Sequence, residues 1–266
     1  ASGVMAHAGS MTKPLAAANT ARTGILAALL AREGLSGAPD AISDKRGFVA
    51  LYSEVAAGTL LPPLDGDYGI LETEYGIKQY PCCAVFHAAL DVALDLAAEH
   101  EIDAGMVDRV EACLVSSRLS HVDRPMPVSG TDAKFSMQYC LARTLVSGRP
   151  DFEDFEGDAY RDPVVTELMG RVEIGVHPDM PPDLKRQDEG GAEVTIILRD
   201  GRRLGRRGAK ARGWAKGVPL PRAELEAKFL ACATRALPES RAREVLGELT
   251  ALERVDDMSR LGGLLG

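Results

Sequence analysis

Arg109-Val-Glu-Ala-Cys-Leu-Val-Ser116 is the stretch on which the fold turns. Val110, Ala112 and Leu114 fall on one face of an extended chain, opposite Arg109 and Glu111, which is the period-two pattern of a half-buried strand. The segment before it has the other period. Between Cys83 and Glu99, Leu90, Val92, Ala93, Leu94 and Leu96 gather on the apolar side of a helix. Arg124-Pro-Met-Pro-Val128 reads as extended, because proline disfavours helix at the residue before it. Ala133 to Val146 is predicted helical, with Ser129 or Thr131 as its cap. Asp162 followed by Pro163 signals the start of a short helix to Met169. Val172 to His177 and Glu193 to Arg199 read as further strands, and Asp200-Gly201 is a hairpin signal leading into a basic strand.

Outward from this mixed block the pattern is helical on both sides. Lys13 to Arg32 is predicted as a helix with Thr12 as N-cap, Pro14 in its first turn and Gly34 as its stop. Its many alanines and Gly24 suit close packing, and a helix this apolar asks for cover on most sides. A shorter helix is expected within Lys45 to Ala57, and Asp65 to Tyr80 is rich in loop glycines. After Pro221, Leu225, Phe229, Leu230 and Ala233, then Val245, Leu246, Leu249 and Leu252, recur at helical spacing, and Gly262-Gly263 is expected to end the order. The fold class is therefore α+β. Residues 1–76 form part of a helical domain, 77–211 an inserted α+β domain, and 212–266 return to the helical domain.

Composition narrows the function classes. With 45% hydrophobic and 26% charged residues among 266, the chain can bury a core, which excludes a disordered class. A net charge of −8 argues against nucleic acid as a partner. The one dense basic run, Arg202, Arg203, Arg206, Arg207, Lys210 and Arg212, reads as a solvated strand or turn face. No apolar run approaches the roughly 20 residues that span a bilayer, so no membrane partner is expected. No secretory leader is read at the N-terminus, and the Ala1-Ser2-Gly3 opening is that of a processed chain or a fragment. Five cysteines without CxxC spacing point to reduced thiols, a cytoplasmic setting and no zinc site.

Three places could carry chemistry. Lys78-Gln-Tyr-Pro-Cys-Cys-Ala-Val-Phe-His87 puts a lysine, two thiols and an imidazole within ten residues. A helix starting there would set Cys83 and His87 on one face, and its N-terminus with Lys78 would suit a carboxylate. The other reading is a buried cysteine pair, a surface lysine and a core histidine. Lys13 at the start of an apolar helix is either a solvated side chain or a ligand for an anion. Arg124 and Lys134 flank a capping segment and could pair with acids, or only support the turn. His7, His100, His121 and His177 lack partners at ligand spacing and read as surface or structural. Nucleophile-elbow, zincin, Walker A and dinucleotide fingerprints are all missing from the sequence.

Five stretches in register carry a resemblance: Met11-Thr-Lys-Pro-Leu with Arg22 to Gly37; Lys78 to Cys83 with His87; Arg124-Pro-Met-Pro-Val-Ser with Ala133 to Tyr139; Leu198-Arg-Asp-Gly; and Pro219-Leu-Pro with Glu224-Leu-Glu-Ala-Lys-Phe. Together they resemble the C-terminal portion of the MmgE/PrpD family, which includes 2-methylcitrate dehydratase- and cis-aconitate decarboxylase-like enzymes. The resemblance implies a helical domain, incomplete here and lacking its N-terminal half, with a smaller α+β lid inserted. It implies a lyase or isomerase acting on a small di- or tricarboxylic acid, in carboxylic acid metabolism such as propionate catabolism. No metal or organic cofactor is implied. The partners implied are the acid and a homodimer mate, or a partner chain supplying the N-terminal half. Lys13 and Lys78 match the family's cleft lysines. Cys83 stands where some members place a histidine, and His87 matches a recurrent histidine. Lys78, His87 and Cys83 are thus the candidate catalytic residues, and Lys13, Lys78 and Arg124 the candidate binders of substrate. Ala16 and Ala18 depart from the His and Gly usual after the first lysine. The alternatives are an inactive relative, a subunit that needs its partner, or a binding module for small acids.

Overall fold

In the computed structural model, residues 3–54, 76–180, 191–214 and 218–265 are described, and the chain divides into two compact units, Ala1–Thr73 and Glu74–Gly266. The first unit carries helix α1 (Thr12–Arg32) and the short α2 (Phe48–Tyr52). Thr12 is the first residue of α1 rather than its cap. Met11 holds the cap position without a side-chain bond, and Ser10 Oγ instead meets Thr12 Oγ1 at 2.6 Å. No residue of α1 is buried, and Ile25, Leu26 and Leu15 are exposed. The helix expected within Lys45–Ala57 shrinks to α2, and its last three positions lie outside the described residues, as do positions 65–75 of the expected glycine-rich loop.

The second unit is built on a four-stranded sheet in the order β2-β1-β3-β4, from β1 (Val107–Leu114), β2 (Val172–Val176), β3 (Ala192–Leu198) and β4 (Arg203–Gly208). β1 runs parallel to β2, with Val110 opposite Val172, and antiparallel to β3, with Val110 opposite Ile196. The alternation of the opening stretch holds: Val110, Ala112 and Leu114 are all buried, whereas Arg109 and Glu111 share an ion pair on the other face. The Asp200-Gly201 turn forms as its sequence requires. Gly201 takes a positive φ of 89°, which a side chain would oppose, and its amide closes the turn on the Leu198 carbonyl at 2.9 Å. The basic run beyond it is ion-paired at the surface, Arg203 with Glu111 and Arg206 with Glu99.

Helices α3 (His87–Glu99), α4 (Ser116–Val122), the one-turn α5 (Gly130–Ala133), α6 (Met137–Ser147) and α7 (Pro163–Met169) connect and cover this sheet. α3 packs on β3 and β4, α6 lies beside α3 and reaches β2, and α7 packs on α6. Phe86, Leu90, Met137, Tyr139, Leu141, Leu114 and Ile196 fill the layer between helices and sheet. Burying side chains of this kind stabilises by ~1.5–3 kcal/mol each before chain entropy is counted. Asp162 caps α7 through Val164 N with Pro163 in the first turn, as read from the sequence.

The helix expected over Ala133–Val146 is broken in two. Ser129 caps α5, but Ser136 caps α6 by accepting from Tyr139 N at 3.0 Å. The Ser136 hydroxyl also donates to the Arg124 carbonyl at 2.6 Å, so a tertiary bond fixes the break. The helix expected from Cys83 starts at His87, after a 3-10 turn over Ala84–Phe86. C-terminal helices α8 (Arg222–Ala233), α9 (Glu239–Leu249) and α10 (Met258–Leu265) complete this unit. Gly262-Gly263 does not end the order: α10 continues through both glycines because Leu261 and Leu264 bury against Val245, and that packing outweighs the glycines' poor helix propensity.

Candidate active site

The Lys78–His87 loop is strapped down at both ends. Ile77 N donates to Gly213 O at 2.9 Å, and Cys83 N donates to Lys134 O at 2.8 Å. Within the loop, Lys78 Nζ bends back to the Cys82 carbonyl at 2.8 Å. The Lys78 ammonium therefore sits over the turn that carries both thiols. Cys82 and His87 are 3% and 2% exposed, and Cys82 Sγ stands 3.6 Å from His87 Nε2. A helix running from Cys83 would pair His87 with Cys83, four residues before it. The chain instead enters a 3-10 turn after Cys83, and this brings Cys82 to the ring. Cys83 is buried too, at the start of that turn.

Behind the loop a second layer fixes it. Tyr80 packs edge-on against His87, with ring centroids 5.0 Å apart. Its hydroxyl donates to Asp91 Oδ1 at 2.6 Å, and Asp91 Oδ2 accepts from Arg212 N at 2.8 Å. Burial, reinforced by the Asp91 carboxylate, pushes the Tyr80 phenol far above its ordinary range, so it stays a neutral donor. Cys82 behaves in the opposite way. Burial pushes its pKa up, but hydrogen bonds from Cys140 and His87, with the charges of His87 and Lys78, bring it down to about 6. Cys140, from α6, is pushed well above the usual thiol range by burial and by Cys82 beside it. Of the two thiols, Cys82 is biased towards ionisation and Cys140 towards its protonated form. The arrangement is a buried thiol beside an imidazole, under a lysine, groups of the kind that store and pass a proton.

A cavity of ≈ 480 Å³ opens on the outer side of the loop, lined by Lys78 and Tyr80, by Arg149 and Phe152, and by Glu224 and Lys228 of α8 among others. Its volume is in the range of small-molecule sites, ~300–1,000 Å³. Arg149 Nη2 donates to the Gln79 carbonyl and to Gln79 Oε1, each at 2.9 Å, and the guanidinium lies 5.3 Å from the Tyr80 ring centre. Lys228 Nζ donates to the Lys78 carbonyl at 2.6 Å. Burial lowers the Lys228 amine; Cys232 opposes this, and the Lys78 and Arg149 charges add smaller lowering effects. Among the described residues no group of three or more His, Cys, Asp or Glu is arranged to hold a metal ion.

Residues 80–253 match the family model described as the MmgE/PrpD C-terminal domain. The chain belongs to the MmgE/PrpD family. It is 30% identical over 267 residues to a cis-aconitate decarboxylase of Homo sapiens, covering 98% of this chain and 54% of that protein. It is 29% identical to the cis-aconitate decarboxylase of Mus musculus, with the same coverage, and 25% identical to that of Aspergillus terreus over 98% of this chain and 56% of the relative. The chain thus spans about half the length of the curated relatives it matches.

Within this MmgE/PrpD chain the sequence-predicted residues are placed unevenly. Lys78, Cys83 and His87 share one loop of the second unit. Arg124 pairs with Asp132 and lies 5.4 Å from the Phe135 ring centre, and it is not among the residues lining the Lys78 cavity. Lys13 belongs to the first unit, where it borders a shallow hollow with His7, Ala16 and Thr20. Cys82 was read as one of the motif's two thiols, though Cys83 was taken as the candidate; Tyr80, Asp91, Cys140, Arg149 and Lys228 were not singled out from the sequence. Tyr80 and Lys228 do fall inside the motifs that carry the family resemblance, which was the available signal. Arg149, after a loop glycine, gave none.

Proposed function

We propose that this chain serves an MmgE/PrpD-type lyase reaction, a dehydration, decarboxylation or isomerisation of a small di- or tricarboxylic acid such as 2-methylcitrate or cis-aconitate. A dehydration or isomerisation removes a proton next to a carboxylate, whereas a decarboxylation expels carbon dioxide and returns a proton to the carbanion that is left. The observation that carries this reading is that Lys78 lines a cationic cavity and bonds the Cys82 carbonyl, while Tyr80, on the same cavity, packs against His87 of the buried Cys82–His87 pair. Proton loss or decarboxylation next to a carboxylate builds negative charge on the acid, and a preorganised ammonium group lowers the energy of that charge. In this reading Lys78 binds the carboxylate, and His87 orients or relays the proton with Cys82 or Cys83 beside it. The resemblance assigns carboxylate binding to Lys13 as well, and Arg124 is a further candidate as a cation that could pair with acids. Arg124 is already balanced by Asp132, so Lys78 bears the larger share. The α+β block acts as the lid. The chain's similarity to cis-aconitate decarboxylases makes cis-aconitate the first acid to try.

The test is turnover of cis-aconitate and 2-methylcitrate by the full chain, followed by proton NMR, alongside Lys78→Ala. The expected loss of kcat/KM is ~10²-fold or more, the scale of deleting one preorganised donor to developing charge. Full turnover by Lys78→Ala overturns the assignment. A second reading, an inactive relative or a subunit that works only with a partner, is favoured by α1, which has no buried residue over 21 positions. Light scattering separates the two, since an active monomer contradicts the partner version.

A further inference from the structure

We infer that Cys82 and Cys140 form a dithiol site that hydrogen peroxide oxidises to a disulfide, tying the Lys78–His87 loop to α6. The two sulfurs come from separate elements, the loop and the first turn of α6. They meet because both elements are held at the same break in the chain. Cys83 N donates to the Lys134 carbonyl at 2.8 Å, and Cys140 Sγ lies 3.6 Å from the neighbouring Ala133 carbonyl. Across that junction the Cys140 thiol hydrogen-bonds Cys82 Sγ. A disulfide brings two sulfurs to about 2 Å, and side chains already in hydrogen-bond contact are the pair that has least far to move.

The surroundings supply the chemistry. A buried cysteine that only packs behaves as a small hydrophobe and needs no polar group at its sulfur. Cys82 Sγ has His87 Nε2 at 3.6 Å, and the Lys78 ammonium is bent over the same turn. The thiolate is the form that attacks a peroxide, and these neighbours with the Cys140 hydrogen bond favour it at Cys82. Cys113 lacks such support, because burial and the Glu193 and Glu111 carboxylates push its thiol up. In the first step Cys82 gives its proton to His87, and its sulfur attacks one peroxide oxygen. The O–O bond breaks, a sulfenic acid forms on Cys82, and the departing oxygen leaves with that proton as water. In the second step the Cys140 sulfur attacks the Cys82 sulfur. The S–S bond forms, the S–O bond breaks, and the hydroxide leaves with the Cys140 proton as a second water. The two thiols together lose two electrons and two protons, and one hydrogen peroxide becomes two waters. His87 is then left without its thiol neighbour.

The experiment treats the folded full chain with hydrogen peroxide, alkylates the remaining thiols in denaturant, and maps tryptic peptides by mass spectrometry without reduction. Trypsin leaves Cys82 and Cys83 together on residues 79–109 and Cys140 on residues 135–143, apart from Cys113 and Cys232. The expected product is a cross-link between 79–109 and 135–143, lighter by two hydrogens than the separate peptides, with fragment ions placing the bond at Cys82. It should form in Cys83→Ser, be lost in Cys82→Ser, and be reversed by dithiothreitol. Cys140→Ser should stop at the first step and leave a Cys82 sulfenic acid that dimedone captures. Thermal melting checks that each variant is folded. The fragment ions of the wild type still decide between Cys82 and Cys83 if a serine variant is not. A cross-link through Cys83 overturns the inference. So does a chain in which exposed Cys232 oxidises while Cys82 and Cys140 both stay open to alkylation. The readout is sulfur chemistry rather than turnover, so this inference and the lyase reading stand or fall separately.

Discussion

Asp91→Ala should destabilise the second unit more than any other single change at the candidate site. Asp91 is 6% exposed on the second turn of α3, and each of its oxygens accepts one bond, from the Tyr80 hydroxyl at 2.6 Å and from Arg212 N at 2.8 Å. Removing the carboxylate orphans both donors, and a buried unsatisfied donor costs ~1–3 kcal/mol. The sum is ~2–6 kcal/mol, with the lower half expected because water can enter the space left by the side chain. Asp91→Asn keeps an acceptor for only one of the two donors, so it should cost ~1–3 kcal/mol. The assay is urea unfolding of the full chain followed by circular dichroism. With a slope of ~2 kcal/mol/M, a loss of ~3 kcal/mol moves the midpoint down by ~1.5 M. Tyr80→Phe closes a double-mutant cycle, and a coupling of ~1–3 kcal/mol with Asp91→Ala is expected for residues in direct contact. Two results would refute the reasoning: Asp91→Ala and Asp91→Asn with equal midpoints, or strict additivity with Tyr80→Phe.

Two further outcomes test the packing and the charge state. With Cys82 held at about 6 in the fold, against roughly 8.5 for a free thiol, the unfolded chain binds a proton that the native chain does not throughout that interval. Stability should therefore rise with pH between about 6 and 8.5, be lost as pH falls through 6, and show less slope in Cys82→Ser. The thiolate ultraviolet absorbance that disappears in Cys82→Ser should titrate over the lower end of the same range, and a wild type with no thiolate signal at neutral pH would contradict the assignment. Gly130→Ala would place a methyl 2.0 Å from the Phe155 carbonyl oxygen, so ~1–3 kcal/mol of overpacking and a Tm lower by ~2–12 °C are expected. Gly247→Ala, in open space on α9, should leave Tm unchanged or raise it, and equal melting of the two variants would be the failing result.

How much could be read beforehand follows from where the signal lives. The alternation of Val110, Ala112 and Leu114, the Asp162-Pro163 start and the Asp200-Gly201 turn are local statements, fixed by period, cap and φ within a few residues, and the structure has them. The break at 134–136 and the continuation of α10 through two glycines depend on partners distant in sequence, Arg124 for Ser136 and Val245 for Leu261. The site divides along the same line. Lys78 and His87 were legible because a short motif holds them together. Cys82, rather than Cys83, became the imidazole's neighbour because a 3-10 turn replaced the first turn of the expected helix, a difference of one residue that spacing alone does not resolve. Arg149 and Lys228 reach the cavity from 70 and 150 residues away from the groups they bond, Gln79 and Lys78, and no window of sequence contains such pairs.

The same separation explains why the loop can be both rigid and reactive. The Gly213 and Lys134 carbonyls and Asp91 hold it through backbone atoms or the neutral Tyr80 phenol, and Arg149 and Lys228 through Gln79 and the Lys78 carbonyl. The Cys82 thiol, by contrast, is set by His87, Cys140 and Lys78. A change of proton at Cys82 therefore need not loosen the straps on the loop. The Lys78 ammonium belongs to both sets, bonded to the Cys82 carbonyl on one side and lining the cavity on the other. An anion drawn to that ammonium is expected to weaken only a small part of what lowers the Cys82 thiol, because Cys140 and His87 act on it more strongly than Lys78 does.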